Sequence, residues 1–207
     1  MDLDWIVDNL NDAGTENDIE RQGIPNPSLI ARKVAKRKLI RLAKTKAASE
    51  AISDGLPKIG ESFHVIAGGV YDYWNLFPAS IKMLGGVDLF YGSTWTMNRD
   101  NVTELFTMID NGEIKQAAML TGLYFKRRES AVYAQIMIGM LSRGQRFSSF
   151  RNHAKVVLLQ KGDDYITFEG SANFTSNPRM ENFIISNDQP LYEFHRSWME
   201  EMLISDG

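Results

Sequence analysis

The chain has 207 residues, 43% of them hydrophobic, with 11 Phe, 7 Tyr and 4 Trp, enough to build one core and too much for a disordered chain. It contains no cysteine, which excludes disulfides and cysteine-bound zinc and fits a cytoplasmic protein. The formal charge of −3 gives no overall basic field, and no apolar run approaches the roughly 20 residues that cross a bilayer.

The first stretch is acidic, with Asp2, Asp4, Asp8, Asp12, Glu16, Asp18 and Glu20 against Arg21, and lacks the basic start of a signal peptide. Trp5, Ile6 and Leu10 can form one short helical face, and Gly14, Gly23, Pro25 and Pro27 mark the stretch from Asn11 to Pro27 as a linker. Ser28 can cap a helix running through Ala51 that carries Arg32, Lys33, Lys36, Arg37, Lys38, Arg41, Lys44 and Lys46. Such a helix either tracks phosphates or is a solvated face that pairs with the acidic segment or a partner. A lipid-surface helix ranks lower, because no aromatic residue lies on it. Residues 1–55 are therefore expected to be an N-terminal helical extension, followed by a separate domain over residues 56–207.

From Leu56 onward strands alternate with helices, which predicts an α/β layered sheet flanked by helices. Predicted strands are Phe63–Ala67, Val87–Gly92, Ala117–Leu120 and Asn182–Ser186. Predicted helices are Tyr71–Leu84 with a weak point at Pro78, a helix capped by Asn98 or Asp100 through Ile109, Ser130–Leu141, and Pro190–Leu203. In the third of these, Ala131, Ala134, Met137 and Ile138 are expected to face inward. Val156–Leu159 and Tyr165–Glu169 read as a hairpin turning at Gly162-Asp163-Asp164.

The outer ends of that hairpin carry the chemistry. His153 and Lys155 alternate onto one face, and Ser171 and Asn173 do the same if their segment stays extended. Folding the hairpin brings an imidazole, an ammonium, a hydroxyl and a carboxamide to one rim of the sheet. That combination suits a tetrahedral anion such as a phosphodiester.

His153-Ala154-Lys155 followed by Gly170-Ser171-Ala172-Asn173 resembles the signature of the phospholipase D superfamily. The likeness continues through Phe174 and Thr175 to Glu181, where the family places an acidic residue. It departs at Gln160, five residues after the lysine, where the family usually has aspartate. The resemblance implies that His153 attacks phosphorus and forms a phosphohistidine, while a second histidine protonates the leaving oxygen. Lys155 would offset phosphate charge with help from Ser171 and Asn173, and Glu181, of the same chain or of a facing copy of the motif, would orient the imidazole. No metal or cofactor is needed.

His153 without a duty, Ser171 and Asn173 as turn residues, and Glu181 as a surface carboxylate are the plainer alternatives. His64 and His195 lack a matching lysine and read as structural. Lys126 and Arg128, with Tyr124 and Arg127, follow a strand and either reach a phosphate chain or solvate the next helix. Ser93 and Thr94 can line the pocket. The expected function is a metal-independent phosphodiesterase cleaving DNA. With one His-x-Lys motif per chain, it is expected to act as a homodimer through the motif face. The alternatives are a catalytically silent DNA-binding component of a larger complex and a phospholipid phosphodiesterase.

Overall fold

A computed structural model of the chain describes residues 27–204 apart from Asn177, with side chains from Lys36 onward except that of Arg37. The acidic segment with its face at Trp5, Ile6 and Leu10, and the linker before Pro27, lie outside the described residues. The chain divides into two compact units, residues 1–42 and 43–207.

Helix α1 (Pro27–Ala51) belongs to the first unit up to Leu42. Its last residues belong to the second, where Ala48 and the following Ile52 enter the core. The second unit continues with β1 (Ser62–Gly68), α2 (Tyr73–Met83), β2 (Val87–Thr94), α3 (Arg99–Asp110), β3 (Ile114–Gly122) and the short α4 (Leu123–Arg128). It closes with α5 (Ser130–Ser142), β4 (Arg146–Phe150), β5 (Val156–Lys161), β6 (Asp164–Gly170), β7 (Met180–Asn187) and α6 (Gln189–Ile204).

The seven strands form one sheet in the order β1-β7-β6-β5-β2-β3-β4. The strands β2, β3 and β4 run parallel, and β5, β6, β7 and β1 continue the sheet antiparallel from β2. Consequently β1, β2, β3, β4 and β6 end, and β5 and β7 begin, along one edge.

Alternation along the strands sorts the core into two faces. Phe90, Met119, Val157, Leu159, Ile166, Phe168, Phe183 and Ile185 pack under α2, α3 and α5. Tyr91, Ala118, Leu120, Val156 and Leu158 face the other way, against Tyr192 and Met199 of α6. Strands buried on both faces read as continuous apolar runs, which is why Val156–Leu159 carries no polar alternation. Helix α2 passes through Pro78 without breaking, because Trp74, Leu76, Phe77 and Ile81 around it are all fully buried.

One expected face is only partly right: Met137 packs half-buried against the core. Helix α5 buries Tyr133, Ile136, Gly139 and Met140, while Ile138 is 60% exposed and Ala131 is exposed. Apolar residues surround this helix, so no stripe singles out the inward side. The face is set instead by Gly139, where a Cβ would lie 2.1 Å from Phe106 Cζ, so that only glycine lets α3 and α5 approach.

Candidate active site

The motif residues meet at the shared edge of the sheet. Lys155 immediately precedes β5, Ser171 immediately follows β6, and Glu181 is the second residue of β7. The Gly170 N–H donates to the Lys155 carbonyl at 3.2 Å and joins the two halves. His153 and Lys155 lie in the loop before β5 and not on the strand itself. They meet because the lysine folds back.

Lys155 Nζ donates to the His153 carbonyl at 2.6 Å and to Nδ1 of the ring at 2.9 Å, with Nε2 3.3 Å away. Lys155 is only 8% exposed. Burial pulls its pKa below the ordinary lysine value, and the Glu181 carboxylate opposes that fall. The imidazole itself is exposed.

The Ser171 hydroxyl donates to Glu181 and accepts the Asn182 N–H at 3.3 Å. Within the chain this hydrogen bond joins Glu181 to Ser171. The Asn173 carboxamide oxygen is buried and has no partner among the described residues.

Phe174, at the end of the motif, and Asn152, which the sequence reading did not single out, hold these loops. Phe174 is fully buried, 5.1 Å from the Phe77 ring and 5.6 Å from Trp74. Its N–H donates to Thr94 Oγ1 at 3.2 Å, and its carbonyl accepts from the Asn98 N–H at 3.2 Å and from Asn101 Nδ2 at 3.1 Å. Asn152 is 7% exposed and does the same for the histidine loop. Its Nδ2 donates to Ser93 Oγ at 2.9 Å and points at the Thr94 and Leu120 carbonyls at 3.4 Å, while Oδ1 accepts the Ala154 N–H at 2.9 Å. Ser93 and Thr94 therefore brace the site from within and do not line it, since both are fully buried.

A cleft of about 440 Å³ opens beside His153, lined by Trp95, Leu123, Tyr124, Arg127, Arg151, Asn152 and His153. Trp95 was missed because nothing in its local pattern marks it. Its signal is positional, directly after the end of β2 on the functional edge. Arg128 lies 5.9 Å from the Trp95 ring, so it borders the cleft, whereas Lys126 lies over the Tyr133 ring at 5.8 Å.

Of the basic helix, the side chains of Arg32, Lys33 and Arg37 lie outside the described residues. Lys38 is exposed, while Lys36 and Arg41 are half-buried. Lys44 is bound within the second unit, with Nζ 2.8 Å from Asp72 Oδ1 and 2.9 Å from Ser176 Oγ.

The other histidines sit elsewhere. His64 is in the middle of β1, opposite Ile184. His195 is on α6 with both nitrogens engaged, Nε2 3.3 Å from Glu169 and Nδ1 accepting from Trp198 at 3.1 Å. Gln160 is near the far end of β5; five residues at about 3.3 Å each place it roughly 16 Å from Lys155. The departure at Gln160 thus leaves the site's own groups in place.

Among the described residues, no helix is long and apolar enough to cross a membrane.

No family model and no curated protein matches the chain. Solved structures do. A phospholipase D family member, Nuc from Salmonella typhimurium, superposes with a TM-score of 0.50 at 15% identity, covering 69% of this chain and 94% of that one. NucT from Helicobacter pylori gives 0.52 at 15% identity, covering 70% and 98%. Polyphosphate kinase from Porphyromonas gingivalis gives 0.52 at 13% identity, covering 77% of this chain and 27% of the kinase. The α/β layered sheet expected from the sequence is therefore the fold of the phospholipase D superfamily.

Proposed function

We propose that this phospholipase D-fold protein is a metal-independent phosphodiesterase that cleaves DNA through a phosphohistidine on His153. The observation that carries the reading is the buried Lys155, its ammonium held against an exposed imidazole at the mouth of a cleft. A phosphodiester anion repels nucleophiles, so a cation must meet its oxygens before an imidazole can attack. Lys155 is built for that exchange. Two of its three N–H groups go to the His153 carbonyl and to one ring nitrogen, and phosphate oxygens entering the cleft take the place of the ring as acceptor.

In the first step an imidazole nitrogen of His153 forms a bond to phosphorus and the bond to one ester oxygen breaks. A second imidazole gives that oxygen its proton. Water then attacks phosphorus, loses a proton to the second imidazole, and frees His153. The Asn173 amide would serve the reaction by donating its N–H groups to a phosphate oxygen. Glu181 tunes Lys155 and holds Ser171.

The second imidazole is the difficulty within one chain, since His195 is committed to Glu169 and Trp198 and His64 lies mid-strand. A two-fold dimer supplies it by setting two copies of His153 across one phosphate. DNA is the substrate class favoured by the arginines at the cleft and the basic α1. Refolding active chains with an excess of His153→Ala chains tests the arrangement. Hybrids should have little or no activity. Activity in proportion to the active chains present would sink the shared site.

A further inference from the structure

One wall of the cleft plays no part in phosphoryl chemistry. Trp95 is half-buried and Tyr124 is 59% exposed, with their rings 6.0 Å apart and inclined by only 26°. Leu123, 46% exposed, extends the same surface. Large aromatic groups side by side in an open cleft are a surface awaiting a flat partner.

The Trp95 ring is fixed from behind, because a Cβ at Gly122 would lie 2.5 Å from its Cδ1, and the Gly122 N–H donates to the Trp95 carbonyl at 3.3 Å. Charge surrounds the rings. Arg127 and Arg151 line the cleft, Arg128 lies 5.9 Å from Trp95, and among the described residues no carboxylate pairs with any of the three. Flat π surface with guanidinium groups around it is the complement of a nucleobase joined to phosphates. The catalytic imidazole is near, with the His153 ring 6.0 Å from Trp95, so a phosphate at one and a base at the other fall within the reach of one nucleotide.

We propose that Trp95 and Tyr124 form a stacking platform for an unpaired base next to the scissile phosphate, so that the protein selects single-stranded over duplex DNA. The proposal rests on DNA being the substrate. The arginines alone do not discriminate, since both forms of DNA offer phosphates. The rings do. A paired base keeps its faces against its neighbours and must be unstacked before Tyr124 can reach it, whereas a base in a single strand is free to turn.

The test measures binding, with the full chain carrying His153→Asn to prevent turnover. The probes are labelled oligo-dT, an abasic oligomer of equal length, and a duplex. Tyr124→Ala should weaken oligo-dT binding by about 5- to 100-fold while leaving abasic and duplex binding within about twofold. Tyr124→Phe should bind oligo-dT like the parent. The same exposed position makes Tyr124 safe to substitute, and Trp95→Leu gives a second reading if it folds.

Equal oligo-dT binding by Tyr124→Ala and its parent would overturn the platform. So would loss of dimer in Tyr124→Ala, which would make the rings a contact between copies. Because the readout is binding, the two readings fail separately. Base-dependent binding by a protein that cleaves no DNA would end the nuclease assignment only, and cleavage with base-independent binding would end the platform only.

Discussion

Asn152→Ala tests whether a buried carboxamide holds the loop that carries His153. The side chain makes two hydrogen bonds of 2.9 Å, to Ser93 Oγ and from the Ala154 N–H, and its Nδ2 faces two carbonyls at 3.4 Å. Each good bond contributes about 1 kcal/mol net, and leaving buried partners unsatisfied adds to the cost, so the expected loss is about 2–4 kcal/mol. Asn152→Asp swaps the donor for a charged acceptor facing the Thr94 and Leu120 carbonyls and should cost at least as much. Urea unfolding gives the stability, and cleavage of an oligonucleotide by the same preparations gives kcat and KM. His153 follows Asn152 directly, so kcat should fall by more than tenfold, while KM changes less because Trp95, Tyr124, Arg127 and Arg151 are untouched. An Asn152→Ala protein within about 0.5 kcal/mol of the parent, with kcat intact, would refute the positioning role.

Further tests concern charge. The Lys155 ammonium titrates below the ordinary value of 10.5 because it is buried, and Glu181 holds it up. The alkaline limb of kcat/KM should therefore lie below that value, and Glu181→Gln should move it lower still. A limb that rises or stays put in Glu181→Gln would contradict the pairing. Glu200 is held down to about 2, chiefly by its hydrogen bond from Arg146. Since its folded value lies below the unfolded value of about 4.3, its contribution is present above that pH and is lost as pH falls toward about 2. Urea midpoints followed over this range should fall less steeply in Glu200→Gln than in the parent, and parallel curves would refute the assignment. Removal of residues 1–42, which leaves Ala48 and Ile52 in the core, should weaken DNA binding and flatten its dependence on salt. An unchanged slope would make α1 a solvated face.

The motif, the hairpin and the alternating order of elements were legible because each is written in local pattern. Val156–Leu159 and Tyr165–Glu169 are apolar runs around a Gly162 turn, and Asn98 caps α3 as its position before the apolar face suggests. What escaped depends on distant partners. The inward face of α5 is set by Phe106 closing on Gly139, thirty-three residues away in sequence, and no period within the helix records it. Strand β4 is short, and only its pairing with β3 defines it. Trp95 and Arg151 become cleft residues because β2, β3 and β5 meet at one edge, which is a property of the sheet order and not of either segment. The contact between Lys155 and His153 was expected from strand alternation, yet it arises in a loop that Asn152 braces.

The central claim is that His153 carries a phosphodiester cleavage that needs no metal. The measurement is cleavage of a single-stranded oligonucleotide in excess EDTA by the full chain and by His153→Ala, with both shown by circular dichroism to be folded. The parent should cleave at an undiminished rate with the chelator present, and His153→Ala should show no cleavage above background. Cleavage that EDTA abolishes, or equal cleavage by the two proteins, would contradict the account.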